Sequence, residues 1–161
     1  MRLFVSMFVV FTSFALNAEE TAVDSVVVYK AKRTMELNFQ GRLVKSYTIS
    51  LGDNPVGHKV QQGDNRTPEG TYIIDYRNKN SRFHRALHIS YPNSQEMENA
   101  KKLGIDPGGQ IMIHGLPNRY GGAKVLFSGW DWTSGCIAVN NEEIEEIWGL
   151  IRDGTPITIN P

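Results

Sequence analysis

Cys136 is the single cysteine of this chain, and its neighbours are those that a reactive thiol needs. The pair Ser134-Gly135 leads directly into it, and the pair His114-Gly115 ends an apolar run upstream. Thiolates attack carbonyl carbons, and histidine is the side chain best suited to take the thiol proton near neutral pH. The pattern predicts a cysteine nucleophile with His114 as its base, provided that the fold brings the two segments together.

Gly135 has a predicted role of its own. A residue without a Cβ lets the chain turn sharply and lets a substrate carbonyl approach backbone N–H groups. We therefore expect the amides of Gly135 and Cys136 to form an oxyanion hole for the tetrahedral intermediate of acyl transfer. The alternative for Cys136 is a small buried hydrophobic residue, because free cysteines are among the most buried residue types.

The first 18 residues have the pattern of a secretory signal peptide. Arg2 supplies a positive charge, residues 3–16 are mostly apolar, and Asn17-Ala18 precedes two glutamates. The apolar stretch is shorter than the roughly 20 residues of a membrane-spanning helix, and an uncleaved N-terminal anchor is the alternative. We expect residues 1–18 to direct export and residues 19–161 to form one domain.

Composition limits the classes of partner. The chain has 17 Lys and Arg against 17 Asp and Glu, so it lacks the basic excess of a surface that binds nucleic acid or anionic membranes. The four histidines and one cysteine do not form a short paired-ligand motif for zinc, and we expect no metal site. His58 and His84 lie in polar segments and are expected at the surface. We expect a monomer.

The elements that must position the thiol and its base are mostly strands. Apolar or alternating patterns predict strands over residues 25–30, 34–39, 43–51, 71–76, 86–91, 111–114 and 156–159. One helix is predicted over residues 94–103, ended by Gly104, and another after Asn140, where Glu143 completes a capping-box pattern. Two glycine-rich segments, a first loop (residues 52–70) and a second loop (residues 115–133), interrupt these elements. We expect a mixed β fold with two helices, a β-sandwich with a cleft under the two loops.

Several residues are candidates for the walls of that cleft. Arg66 in the first loop can bind a carboxylate through two hydrogen bonds, or it is a solvated turn charge. Arg119 in the second loop is a weaker candidate of the same kind. His88 lies on the polar face of a predicted strand and is either an ordinary strand histidine or a cleft residue beside the thiol. Of Trp130 and Trp132, we expect one in the core and the other lining the cleft.

The combination of His114-Gly115 with residues 133–137 resembles the active-site pattern of the YkuD-type L,D-transpeptidase catalytic domain, and in particular the small murein L,D-transpeptidases. Other segments resemble the family in the same order along the chain, namely residues 56–57, 63–70, 89–93, 106–109 and 131–133. The resemblance covers about residues 25–159. It departs at Ser134, where many members have a second histidine, and at Ala138, where they have Asn or Arg.

The resemblance implies a reaction on peptidoglycan. Cys136 would attack the L,D bond before the terminal D-residue of a stem peptide, His114 would be the base, and the Gly115 carbonyl would orient the histidine. The acyl group of the thioester would then pass to an amine or to water, without a metal or organic cofactor. We also expect Trp132, Thr133 and Ser134 to contact substrate, together with Arg66, His88 and Arg119.

The two departures leave the outcome of the reaction open. A periplasmic L,D-transpeptidase is the first interpretation, with peptidoglycan stem peptides as its partners. An L,D-carboxypeptidase, or a peptidase that releases a wall-linked lipoprotein, would use the same thioester and differ only in what resolves it. A non-catalytic wall-binding module with an inert thiol is the third interpretation.

Overall fold

The computed structural model describes residues 23–120 and 123–161. The predicted signal peptide at residues 1–18 lies outside the described residues, and it stays a prediction, as does the domain boundary at residue 19. Within the described part of the chain, no helix is long and apolar enough to cross a bilayer.

Alternating apolar side chains build the strands, as β1 and β2 show by burying every second residue. One sheet of eight strands, ordered β3-β2-β1-β8-β4-β5-β6-β7, runs through the described residues. Most neighbouring strands are antiparallel, but β1 with β8 and β6 with β7 are parallel. The strands are β1 (Ser25–Tyr29), β2 (Thr34–Phe39), β3 (Arg42–Thr48), β4 (Gly70–Ser81), β5 (His84–Ile89), β6 (Met112–His114), β7 (Ile137–Ala138) and β8 (Thr155–Asn160).

The sheet curls until its two ends meet. Ser50, just after β3, forms an antiparallel bridge with Ala138 of β7, and Gly52 forms a parallel bridge with Thr133. Because β3 and β7 are the outermost strands in the order, these bridges wrap the sheet around its apolar core. The predicted mixed β fold with two helices is confirmed, and its sandwich consists of one curled sheet.

Both predicted helices are present and begin at asparagine caps. Helix α1 (Ser94–Leu103) follows Asn93, and α2 (Asn141–Leu150) follows Asn140. In each helix the asparagine side chain accepts a hydrogen bond from the backbone N–H of the third helical residue, which is a glutamate. The side chain of that glutamate accepts the backbone N–H of the asparagine, so two otherwise unpaired donors are satisfied. Ile144 and Ile147 of α2 are fully buried, and the helix packs on β5.

Most strand ends lie within two residues of the sequence prediction, β7 was not predicted, and the boundaries differ more in two places. Strands β4 and β5 extend toward each other as a long hairpin, because the polar residues that follow Tyr76 still pair across an antiparallel ladder. The third strand ends at Thr48 rather than Leu51, because Ser50 and Gly52 turn away to pair with the segment around the thiol. Tertiary pairing sets both boundaries.

Candidate active site

The parallel pairing of β6 with β7 places the predicted base and nucleophile on adjacent strands. Ile113 lies opposite Ile137 and His114 opposite Ala138, and Cys136 immediately precedes β7. Residues two apart along a strand share a face of the sheet. His114 and Cys136 therefore lie on the same face, opposite to the one on which Ile113 and Ile137 are fully buried.

The His114 ring is fixed in one tautomer. Its Nδ1–H donates to the Gly115 carbonyl oxygen over 2.7 Å, which leaves the Nε2 lone pair to accept a proton. The ring is buried against Phe83 and Trp132. Burial lowers the pKa of His114 to about 4, against an opposing contribution from the Gly115 carbonyl. At neutral pH His114 is an uncharged imidazole that can act as a base.

Cys136 is partly exposed, and its Sγ lies 3.6 Å from the Gln110 carbonyl oxygen. Burial raises the pKa of the thiol, while the Met112 backbone and the positive charge of Lys59 act in the opposite direction. The directions of both pKa shifts favour a neutral thiol and a neutral imidazole in the resting protein.

Thr133 holds the turn before the nucleophile. Its Oγ1–H donates to the Cys136 carbonyl oxygen over 2.7 Å, and its Oγ1 accepts the Gly135 N–H over 3.1 Å. Thr133 is buried, and its contact with substrate stays a prediction. The Gly135 N–H donates to Thr133 in this structure, and its place in the oxyanion hole stays a prediction as well. The Cys136 N–H is the other predicted donor.

Gly135 allows the first loop to approach the turn before Cys136 closely. Its φ is +123°, and a Cβ at this position would lie 2.6 Å from the Arg66 carbonyl oxygen. The first loop therefore packs directly against the turn that carries the nucleophile, which no larger residue would allow.

Buried lysines fix the first loop, and the sequence alone did not reveal them. Lys30 donates to the carbonyl oxygens of Gly57 and Thr67 and to the carboxylate of Glu69, all within 2.9 Å. Lys59 donates to Asp64 over 2.8 Å. Both lysines are only 2% exposed. Their burial follows from strand and loop positions that are remote in sequence, so only tertiary structure could identify them.

The family model of the L,D-transpeptidase catalytic domain (YkuD) matches residues 24–159. The chain belongs to this family. It is 30% identical over 134 residues to "Putative L,D-transpeptidase YafK" of Escherichia coli strain K12, with 78% of this chain and 46% of the relative covered. The chain therefore spans about half the length of this curated relative.

Several solved structures share the fold. The helical cell shape determining protein Pgp2 of Campylobacter jejuni superposes with a TM-score of 0.63 at 23% identity, covering 89% of this chain and 51% of Pgp2. An L,D-transpeptidase of Stackebrandtia nassauensis gives a TM-score of 0.59 at 10% identity, covering 93% of this chain and 61% of that protein. The prediction of an L,D-transpeptidase family member is confirmed.

The predicted wall residues of this L,D-transpeptidase domain differ in burial and in contacts. Arg66 borders the Gly135 turn through its backbone, and its buried Nε has no hydrogen-bond partner among the described residues. Ser134 is exposed next to Cys136. Arg119 is also exposed, on the short 3₁₀ helix Asn118–Tyr120, where its guanidinium stacks on Tyr120.

The two tryptophans differ from the expectation of one core residue. Trp132 is half-buried, and its ring contacts those of His114 and Phe127. Trp130 is 55% exposed, and its Nε1–H donates to the Leu126 carbonyl oxygen. A cavity of about 530 Å³ lies under the second loop, and both rings line it.

The remaining histidines are each paired with a carboxylate. His58 lies 3.4 Å from Glu96 and His84 lies 2.7 Å from Glu145, and both side chains are more than a third exposed, in agreement with the surface prediction. His88 is different because it is buried. Within the described ranges 23–120 and 123–161, no group of three or more His, Cys, Asp or Glu residues is arranged to bind a metal.

Proposed function

We propose that this L,D-transpeptidase domain is a periplasmic cysteine acyltransferase that acts on peptidoglycan stem peptides through a thioester on Cys136. The observation that carries the proposal is the pairing of adjacent parallel strands that sets Cys136 beside His114, an uncharged imidazole whose tautomer is fixed by Gly115. Membership of the family supports the reaction class.

Acylation follows from this arrangement. As the sulfur attacks the carbonyl carbon of the L,D bond, the thiol proton moves to His114 Nε2 and the oxyanion accepts the Cys136 N–H. The tetrahedral intermediate collapses, the C–N bond breaks, and the leaving D-residue takes the proton from His114. The buried ring favours this second transfer because its low pKa makes the imidazolium a strong acid.

The thioester is resolved by an amine in the transferase proposal. Water in place of the amine would make the same enzyme an L,D-carboxypeptidase, or a peptidase that releases a wall-linked lipoprotein. Ser134 is exposed next to Cys136 and Ala138 is buried in β7, and neither residue distinguishes the two outcomes. Export to the periplasm is part of the proposal and rests on the pattern of residues 1–18.

Intact mass spectrometry of the protein incubated with a tetrapeptide-stem muropeptide tests the proposal. We expect an acyl adduct on the wild-type protein, no adduct on Cys136→Ala, and a strongly reduced rate of adduct formation on His114→Gln. Cross-linked or exchanged products would identify a transferase, and tripeptide alone would identify a hydrolase.

A wild-type protein that sediments with intact sacculi but forms neither adduct nor product, with tetrapeptide or lipoprotein-linked stems, would contradict the proposal. That result would favour the wall-binding module.

A further inference from the structure

His88 and Asp75 form a second histidine pair near the nucleophile. His88 Nδ1 lies 2.6 Å from Asp75 Oδ1. His88 is 9% exposed, and the Asp75 side chain is 41% exposed. A bulge in β4 between Ile74 and Tyr76 presents the Asp75 side chain to the histidine.

The strand registers place this pair on the face of the sheet that carries the thiol. His88 of β5 lies opposite Met112 of β6, and the β6–β7 register continues this row to Cys136. His88 is therefore two strands from Cys136, about 10 Å between Cα atoms for a usual strand spacing. The flexible side chain of Met112 lies between them.

Independent contacts connect the pair to the nucleophile. The Tyr76 ring stacks on His88 at 4.4 Å between centroids, and the Tyr76 hydroxyl donates to Gln110 Oε1 over 3.3 Å. The Gln110 carbonyl oxygen is the same group that faces Cys136 Sγ. Gln110 thus links the Tyr76–His88 stack to Cys136, through its side chain on one side and its backbone carbonyl on the other.

The two histidines on this face are held in the same tautomer by different partners. A carbonyl oxygen holds Nδ1–H of His114, whereas a carboxylate holds Nδ1–H of His88. In both rings Nε2 is left to accept a proton. A carboxylate stabilises the imidazolium that forms when the ring is protonated, which a neutral carbonyl does far less. The Asp75 side chain, 41% exposed, also gives this part of the thiol-bearing face a negative charge that attracts a cationic amine.

Resting on the proposed function, we propose that His88 is the base for the acyl acceptor, that Asp75 is its positioning residue, and that the acceptor is a primary amine. The acceptor ammonium first loses one proton to solvent, and His88 Nε2 takes a second proton from the neutral amine as its nitrogen forms the C–N bond at the thioester carbonyl. The C–S bond then breaks, the Cys136 thiolate regains a proton from solvent, and His88 returns its proton to solvent. His114 serves the donor half of the reaction and His88 the acceptor half.

The test isolates the acceptor half with a small acyl group. p-Nitrophenyl acetate acetylates Cys136, excess reagent is removed, and the decay of the acetyl thioester is followed by intact mass spectrometry with and without glycinamide. A general base contributes about 10²–10⁴-fold. We expect His88→Asn to slow the glycinamide-dependent decay at least tenfold and to change the acetylation rate less than twofold.

The variants are chosen to separate catalysis from folding. The asparagine side chain in His88→Asn keeps an N–H donor for Asp75 near the position of Nδ1 and lacks the Nε2 that would take the proton. An unchanged acetylation rate in this variant shows that the site around Cys136 is intact. Asp75→Asn should give a smaller loss confined to the same step, and Asp75→Glu should recover part of it. His84→Asn is the matched control, because His84 pairs with Glu145 at the other end of β5.

Equal decay of wild type and His88→Asn would overturn the inference, and so would equal slowing of acetylation and decay. A wild-type protein that does not react with muropeptides, but whose acetyl thioester decays in a His88-dependent way, would contradict the proposed substrate and support the inference.

Discussion

The two loops that flank the nucleophile are held by different kinds of interaction. Buried charges hold the first loop: the Lys30 ammonium has three partners, and Asp64 accepts Lys59 and the backbone N–H groups of Val60, Gln61 and Arg66. Burial opposes ionisation of Asp64, but these donors outweigh it and lower its pKa to about 2.

Ring packing holds the second loop. Tyr120, Phe127 and Trp132 follow one another with centroids 5.5 and 4.8 Å apart, and the series ends on His114. At its far end the loop is anchored by Asp131, which accepts hydrogen bonds from Arg33 and from the Leu51 N–H. Apolar contact is less directional than a buried ion pair with every donor satisfied. We conclude that the first loop gives the site a fixed wall and the second gives it an adaptable one.

The largest effect should come from the charge that anchors the first loop. Lys30→Met leaves the Glu69 carboxylate and two carbonyl oxygens without their partner, and we expect the free energy of unfolding in urea to fall by about 3–5 kcal/mol. Lys45→Met is the matched control, since Lys45 pairs with Glu146 over the same 2.8 Å, but with both side chains at least 40% exposed. Its cost should stay below about 1 kcal/mol. Equal costs would remove the distinction between the loops.

The next effect should appear where the first loop meets the nucleophile. Gly135→Ala puts a methyl group 2.6 Å from the Arg66 carbonyl oxygen at a φ of +123°, so we expect a loss of about 2–4 kcal/mol and slower acylation of Cys136. Gly149→Ala, in α2 and in open space, should instead gain about 0.5–1 kcal/mol. Unchanged acylation in Gly135→Ala would show that the wall is not fixed.

The buried histidine beside the second loop should make stability depend on pH. The folded-state pKa of His114, about 4, lies below the unfolded value of about 6.5. The unfolded state therefore binds the proton first, and this stability is fully present above about pH 6.5 and is lost as the pH falls toward 4. We expect urea unfolding of the wild type to lose about 2 kcal/mol more than His114→Gln between pH 7 and pH 5. Parallel pH profiles would contradict the burial of the ring.

The smallest effect on stability should come from the ring packing itself. Phe127→Leu removes aromatic contacts with Tyr120 and Trp132 but keeps an apolar side chain, and we expect a loss of about 0.5–1.5 kcal/mol. Because the loop is adaptable, KM for a stem peptide should change more than the rate of acylation at saturation. If Phe127→Leu lowered the free energy of unfolding as much as Lys30→Met, the two loops would be equally fixed and the comparison would fail.

The sequence by itself determined most local elements and the candidate reacting groups. Alternating patterns located the strands, and Asn93 and Asn140 marked both helix starts, because a cap depends on residues only three positions apart. Cys136, His114 and Gly115 were singled out from short-range motifs, and their roles stay predictions.

Only the tertiary structure decided how these groups meet and how they are charged. The curl of the sheet and the parallel pairing of β6 with β7 join segments far apart in sequence, and hydrophobic periodicity does not specify which strands become neighbours. The burial of Lys30, the engagement of the Gly135 amide by Thr133 and the pairing of His88 with Asp75 all follow from that assembly. A pKa depends on desolvation and on partners in space, so the protonation states of Cys136 and His114 could be assigned only after the chain had folded.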